Sequence, residues 1–441
     1  MQKQNQDPIF DLVKKEEERQ TEMIGLIPSE NHSSEAVRSV LSSCLSSKYA
    51  EGYPKRRYYE GNQVIDEIEI EAQKRLKELF KVPHVNVQPY SGSPANSAVE
   101  FALLEEGDTI MGLALSSGGH LTHGHPKVTF SGRYFNSIQY GLDENARIDF
   151  KELRRLALEH KPKLIIAGTT AYPFVLDFAK FAEIADEVGA YLLADISHIT
   201  GLVIAGEHQS PVPHAHIVMS TTHKTFRGPR GTMIMVTNKG LEKDPDLADK
   251  IDKAVFPALQ GGPHNENTAA IAIAAGEAAR PGFIEYGKQI RKNADAMATA
   301  LQQEGLKLVG DGTENHLILI DLTSFGDGFG TQVAFAMDVA GIYANRNTIP
   351  GEPCSPFYPS GIRIGTPLVT TRGMKEQEMT KIAQWIARVV DHIKGEQLPA
   401  LKTTRRVFLK DFKARMIKDE TLLAIRKEVK EMAKTFPLFA W

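Results

Sequence analysis

Short β-rich runs at residues 85–88, 109–113, 164–168, 191–194 and 217–220 recur through the first half of the chain, and stretches of helical period, 181–188 among them, lie between them. Apolar strands of four or five residues with little polar alternation need cover on both faces. Strands joined by helices return in the same direction. The spacing therefore predicts an α/β fold around a mostly parallel sheet. In such sheets reactive residues sit at the carboxyl ends of the strands, so the ends of these runs are where chemistry is expected.

The 441 residues leave room for two or three domains. A net charge of −3 lacks the basic excess that nucleic acid or an anionic membrane would require, and the locally basic tail at 402–430 reads as a solvated helix face. No apolar run approaches the roughly 18 residues of a membrane helix and the N-terminus has no signal-peptide core, so a cytoplasmic protein is expected. Cys44 and Cys354 form neither a disulfide framework nor a metal cluster. A polar helix at 8–20 and an irregular stretch at 29–61 precede a helix at 63–80, where Val64, Ile65, Ile68, Ala72, Leu76 and Leu79 recur at helical spacing. Residues 255–263 break regular structure before an alanine-rich helix from about Asn267. The expected division is an arm at 1–60, a large domain at 61–278 and a small C-terminal domain at 279–441. The last includes a strand at 317–322 and a helix at 375–393.

Lys224 lies in the run Ser220-Thr-Thr-His-Lys-Thr-Phe-Arg-Gly-Pro-Arg-Gly231, delivered by the apolar run 215–219 and followed by a second, 232–236, that carries the chain back. A strand-end lysine among Thr, His and Gly in a partly dry pocket can act as an amine nucleophile and form a Schiff base with a carbonyl; a loop lysine binding phosphate or solvent is the alternative. Ser91-Gly92-Ser93 stands between a strand and a helical pattern, where amides and hydroxyls can hold a phosphate. Asp195 closes its strand, with His198 just after it, and a buried carboxylate there calls for a cationic partner such as a pyridinium nitrogen. Phosphate turn, carboxylate and lysine in that order match the needs of pyridoxal phosphate. Arg363, bracketed by glycines, offers a fork for an amino acid's carboxylate. The run His120-Leu-Thr-His123-Gly-His125 could be read as a zinc site, but it lacks a neighbouring carboxylate or cysteine ligand, and His120 reads better as an aromatic lid over a ring. Gly326-x-Gly328-x-Gly330 is set aside for want of a clear strand-to-helix setting.

Further motifs add to these: Ser29-Glu-Asn31, Lys48-Tyr-Ala-Glu-Gly-Tyr-Pro54, Arg57-Tyr-Tyr59, Gly118-Gly-His-Leu-Thr-His-Gly124, Thr221-Thr-His-Lys224, Gln260-Gly-Gly-Pro263, Asn345-Arg-Asn-Thr-Ile-Pro350 and 360–367. With them the chain, from about Leu26 to Ile393, resembles the serine hydroxymethyltransferase family. The resemblance implies the pyridoxal-phosphate-dependent transferase fold of type I, with a mostly parallel seven-stranded sheet in the large domain and a smaller α+β C-terminal domain. It implies reversible conversion of L-serine and tetrahydrofolate to glycine and 5,10-methylenetetrahydrofolate. Pyridoxal 5'-phosphate would be the cofactor, tetrahydrofolate the co-substrate and a homodimer, or a homotetramer, the assembly.

By matching position, Lys224 holds the cofactor aldehyde, Asp195 pairs with the ring nitrogen and His120 stacks on the ring. Gly92 and Ser93 bind the phosphate, with Tyr49 and Gly262 reaching in from a second subunit. Thr170, His198, Thr221 and His223 complete the cofactor site. Ser29 and Arg363 bind the substrate carboxylate, Glu51 and Tyr59 of the partner subunit act on the hydroxymethyl group, and Leu121, Gly124 and Asn347 touch the folate. Departures from the family pattern include Lys55 where glycine is common, Thr170 for serine, and Tyr90 and Pro94 for histidine and glutamine. A folate-independent aldolase of threonine type is the rival, disfavoured by the Tyr-Glu arm and Asn347. A non-catalytic paralogue would be expected to lack Lys224 or Asp195.

Overall fold

The computed structural model describes residues 7–126 and 128–438. The β-rich runs pair into one seven-stranded sheet. Its strands are β1 His84–Asn86, β2 Thr109–Leu113, β3 Asn136–Tyr140, β4 Leu164–Gly168, β5 Tyr191–Asp195, β6 Ile217–Thr221 and β7 Thr232–Val236. They stand side by side as β1-β7-β6-β5-β4-β2-β3. Only β7 opposes its neighbours: it returns antiparallel to β6, with Thr232 opposite Thr221 and Val236 opposite Ile217, as the second apolar run after Lys224 predicts.

The central strands are mostly apolar because both faces are covered. Ile165, Ala167, Leu192, Ala194 and Val218 join the core under the helices Gln63–Phe80, Phe178–Val188 and Asn265–Ala278. The alternate residues Leu164, Ile166, Leu193, Ile217 and Met219 join the core under Gly92–Leu103 and Leu247–Lys253. Each buried Leu or Ile contributes about 1.5–3 kcal/mol, so the central strands anchor the residues at their ends. Strand β3 escapes the sequence pattern because it is the sheet's edge, where Asn136 and Gln139 need not be buried. In Gln63–Phe80, Val64 is exposed while Glu69 is buried, departing from the apolar register; the Glu69 carboxylate meets Arg57 and Gln88 instead.

Two compact units emerge. The larger holds Asn31–Arg291 and Thr313–His316, and so includes most of the irregular N-terminal stretch; the smaller holds the described residues up to Glu30, Lys292–Gly312 and those from Leu317 onward. The helix Pro281–Gln303 contributes to both.

The smaller unit has a four-stranded antiparallel sheet in the order Lys307–Leu308, Leu317–Asp321, Gly361–Gly365, Asn345–Asn347, with Trp385, Phe329 and Phe412 in its core. The basic tail forms two helices, Lys402–Met416 and Glu420–Thr435, which bury Phe412, Met416, Leu422, Ile425, Val429 and Ala433. The tail is thus part of the smaller unit's core rather than a wholly solvated face. Gly326 and Gly328 follow a 3₁₀ turn, Thr323–Phe325, rather than the strand Leu317–Asp321 directly, and Gly330 opens the helix Gly330–Val339. The Gly328 amide is already engaged by Ser360 Oγ at 2.8 Å. Among the described residues no helix is long and apolar enough to cross a membrane.

Candidate active site

A cavity of about 260 Å³ opens at the carboxyl ends of β4, β5 and β6 in the larger unit, lined by Ser91, Gly92, Ser93, Asn96, His120, Thr169, Thr170, Asp195, Ser197, Thr221, His223, Lys224 and Arg230. Strand β5 ends on Asp195 and β6 on Thr221, three residues before Lys224. The helix Gly92–Leu103 starts at the cavity wall with Ser91 at its N-cap. Gly92 is required there because a Cβ would come within 2.8 Å of the Thr221 methyl group. Gly118, at φ +93°, adopts the left-handed turn that leads into His120. The sheet therefore gathers Gly92, Ser93, His120, Thr170, Asp195, Thr221, His223 and Lys224 into one pocket.

Asp195 is the best-held group in it. Its Oδ2 accepts from His123 Nε2 at 2.9 Å and Asn96 Nδ2 at 3.2 Å, and its Oδ1 from the Ser197 hydroxyl at 2.6 Å and amide at 3.1 Å. Burial works against the charge. The hydrogen bonds from His123 and the Ser197 hydroxyl and the Lys224 ammonium outweigh it and keep the carboxyl well below the usual range. The backbone amide of His120 points to His123 Nδ1, at 3.4 Å, which leaves the proton on Nε2 facing Asp195. His123, Asn96 and Ser197 are the site residues that sequence reasoning missed. His123 had a signal in the His-rich run, but its partner lies 72 positions away. Among the described residues no three His, Cys, Asp or Glu side chains are placed to hold a metal ion.

The His223 imidazole is pushed down to about 3, by burial first and then by the charges of Lys224 and Arg230, so it is neutral. Its Nδ1 and the Thr221 Oγ1 are buried with no hydrogen-bond partner among the described residues. Leaving such groups unmet costs about 1–3 kcal/mol each, so this wall is made for a polar ligand. With a helix N-terminus at Ser91–Ser93 suited to an anion and an ionised carboxylate at Asp195 suited to a ring cation, the residues fit pyridoxal phosphate.

Other expected residues lie elsewhere. His198 is buried but absent from the lining, its ring stacked on His316 with Nδ1 and Nε2 3.3 Å apart. Leu121 is exposed, and Gly124, at φ +85°, accepts a hydrogen bond from the Ser137 hydroxyl. Tyr49, Glu51, Tyr59 and Gly262 form a second group outside the cavity. The Tyr59 hydroxyl donates to Glu51 Oε2 at 2.8 Å, a bond that raises the phenol's pKa. The Tyr49 and Tyr59 rings meet edge to face at 6.0 Å, and the Tyr49 ring lies against Gly262. Arg57 fastens this segment from behind: it donates to Asp66 at 2.8 Å, Glu69 at 2.6 Å and the carbonyls of Ala50 and Gly52 at 2.8 and 2.7 Å.

In the smaller unit Arg363 is buried on the strand Gly361–Gly365 and donates to Asn345 Oδ1 at 2.8 and 3.3 Å; burial brings its pKa down to about 10, so it remains a cation at neutral pH. Asn347 lies on the edge strand with its amide on the Thr348 carbonyl at 2.6 Å, and Ser29 is half-buried.

A family model described as serine hydroxymethyltransferase matches residues 2–386. Among curated proteins, the serine hydroxymethyltransferase of Acidothermus cellulolyticus is 52% identical over 98% of this chain and 95% of its own length. That of Sorangium cellulosum is 54% identical over 88% and 90% of the two chains, and that of Desulfotalea psychrophila 53% identical over 90% and 92%.

Proposed function

Since this chain belongs to the serine hydroxymethyltransferase family, we propose how its own residues divide the work of that reaction. It is a pyridoxal-phosphate-dependent transferase that interconverts L-serine plus tetrahydrofolate and glycine plus 5,10-methylenetetrahydrofolate. The threonine-type aldolase reading is not favoured. The cofactor supplies an aldehyde that condenses with amines and a cationic ring that accepts the electron pair left when the Cα–Cβ bond of serine breaks.

Lys224 is the amine that would hold the cofactor's aldehyde. Asp195, kept ionised by His123 and Ser197, holds the proton on the ring nitrogen. The pinning of this carboxylate in the pocket that Lys224 lines is the observation that carries the assignment. Gly92 and Ser93 take the phosphate at the helix N-terminus, His120 covers a ring face, and Thr221, His223, Thr170 and His198 supply the remaining polar contacts. Arg363, with Ser29, takes the substrate carboxylate. Leu121, Gly124 and Asn347 contact the folate.

Glu51 moves a proton to and from the hydroxymethyl oxygen, with Tyr59 orienting it through their hydrogen bond. We assign this pair, with Tyr49 and Gly262, to the partner's pocket in a homodimer, since in their own chain they lie outside the Lys224 cavity. For the functional domains we propose the division expected from the sequence, an arm at 1–60 ahead of domains at 61–278 and 279–441, whose bounds differ from those of the two compact units. Two free cysteines fit a cytoplasmic location. The deciding assay is glycine formation from serine with and without tetrahydrofolate: strong folate dependence is expected, and equal rates in both arms would overturn the folate role.

A further inference from the structure

Three hydrogen bonds and a ring stack fasten the segment before the phosphate turn to the turn that carries Gly262. The Tyr90 amide donates to Gln260 Oε1 at 3.0 Å, while Gln260 Nε2 donates to the Gln88 carbonyl at 2.9 Å. The Tyr90 phenol donates to the Gly262 carbonyl at 2.7 Å. Its ring lies flat on His264, with centroids 4.4 Å apart and planes 11° from parallel. Immediately after Tyr90 comes Ser91, N-cap of the helix Gly92–Leu103 and part of the cavity wall. At the other end of the phenol's hydrogen bond, Gly261 and Gly262 face Glu51 and Tyr49.

We infer that Tyr90 is a positioning residue that sets both halves of the phosphate site at once: the Ser91–Ser93 turn of its own chain and the Gly262 turn offered to the partner. The inference rests on the reading of Gly262 given above. A Gly-Gly turn has more freedom to lose than any other dipeptide, and a phosphate held by backbone amides tolerates little misplacement. One side chain hydrogen-bonded to that turn and adjoining the other removes the freedom before the ligand arrives, so binding does not have to supply that ordering.

The test uses the full chain stripped of cofactor and titrated by absorbance with pyridoxal 5'-phosphate and, separately, with pyridoxal, which has the ring but no phosphate. Tyr90→Phe keeps the stack on His264 and removes only the hydroxyl. It is expected to weaken pyridoxal phosphate binding about three- to ten-fold, the worth of one hydrogen bond, and to leave pyridoxal binding unchanged. Unchanged affinity for both, or an equal loss for both, would overturn the inference, the latter by showing a general structural effect. Gly262→Ala separates this outcome from the reading beneath it, because within the chain its Cβ would meet Tyr49 at a tolerable 3.4 Å. If Gly262→Ala weakens pyridoxal phosphate binding and Tyr90→Phe does not, only the inference fails. If Gly262→Ala binds pyridoxal phosphate as the unmodified chain does, the placement of Gly262 at the partner's phosphate fails, and the link through Tyr90 with it.

Discussion

The Lys224 cavity and the Glu51–Tyr59 face are built in opposite ways. In the cavity the charged group is buried and held from several sides: Asp195 takes four hydrogen bonds from three residues and has His123 fixed behind it. On the face, Tyr49, Tyr58 and Tyr59 are exposed, at 66%, 70% and 46%, and the fixing lies beneath them, where Arg57 joins Asp66 and Glu69. A carboxylate can hold a neighbouring cation in a dry site where water does not screen it. A proton relay exposed to solvent gains no such help. The contrast teaches that one chain holds Asp195 from all sides and leaves the Glu51–Tyr59 pair open, which supports the proposal that a second chain covers it.

The largest effect tests that division directly. Lys224→Ala and Glu51→Gln chains should each lose about 10²–10⁴-fold in folate-dependent turnover. Unfolded together and refolded, about half the dimers are mixed, each with one doubly defective and one intact site, so roughly a quarter of wild-type activity should return. Activity held at the parental level, with mixed dimers confirmed by mass, would show that the site is built within one chain.

Asp195→Asn keeps the shape of the cavity and removes its charge. Turnover should fall about 10²–10³-fold, with a much smaller change in thermal stability. Near-normal turnover would reduce the carboxylate to a structural part. On the face, Arg57→Leu strands Glu69 in the interior and should cost about 3–5 kcal/mol in denaturant unfolding. A loss under about 1 kcal/mol would mean that the arm is not fixed from beneath.

Glu100 sharpens the comparison within the cavity's own helix. It is 1% exposed, and burial alone raises its pKa well above the carboxylate value of 4.5. The folded state therefore binds a proton that the unfolded state has released, and stability falls as pH rises from the ordinary carboxylate range toward the folded pKa. Glu100→Gln should match the parent in stability near pH 4.5 and exceed it increasingly above, by about 1.4 kcal/mol for each pH unit of the window. Parallel stability curves from pH 5 to 8 would show that Glu100 is ionised in the fold.

How much of this was legible in the sequence follows from how local each signal is. Lys224, Asp195 and Ser91–Ser93 stand at the ends of apolar runs, and a strand's end shows in the pattern of its own residues. His123 acts through a carboxylate 72 positions on, and Glu69 through an arginine and a glutamine, so neither pattern nor period could reveal them. Strand β3 was hidden by its edge position, and the stripe Leu422, Ile425, Val429 by the charges around it. The grouping of Tyr49, Glu51 and Gly262 rests on a turn far downstream in the sequence, which the family resemblance supplied and composition could not.

The smallest effect is expected at Lys55, in the hairpin that joins the strands Gly52–Tyr53 and Arg56–Arg57. Lys55 sits at φ +64°, a left-handed conformation that costs a residue with a Cβ about 1–2 kcal/mol. Its amide donates to Asp66 Oδ2 at 2.7 Å, the carboxylate that also receives Arg57, and so the turn is tied to the buried network. Lys55→Gly keeps that amide bond and relieves the conformation, while the unfolded chain gains freedom worth about 0.4–1 kcal/mol the other way. The net should be a stabilisation of no more than about 1 kcal/mol by denaturant unfolding, with turnover unchanged, because the side chain is exposed and does not line the cavity. A clear loss of stability would mean that the lysine side chain itself supports the hairpin; a clear loss of folate-dependent turnover would extend the working face beyond Tyr59 to the hairpin's tip.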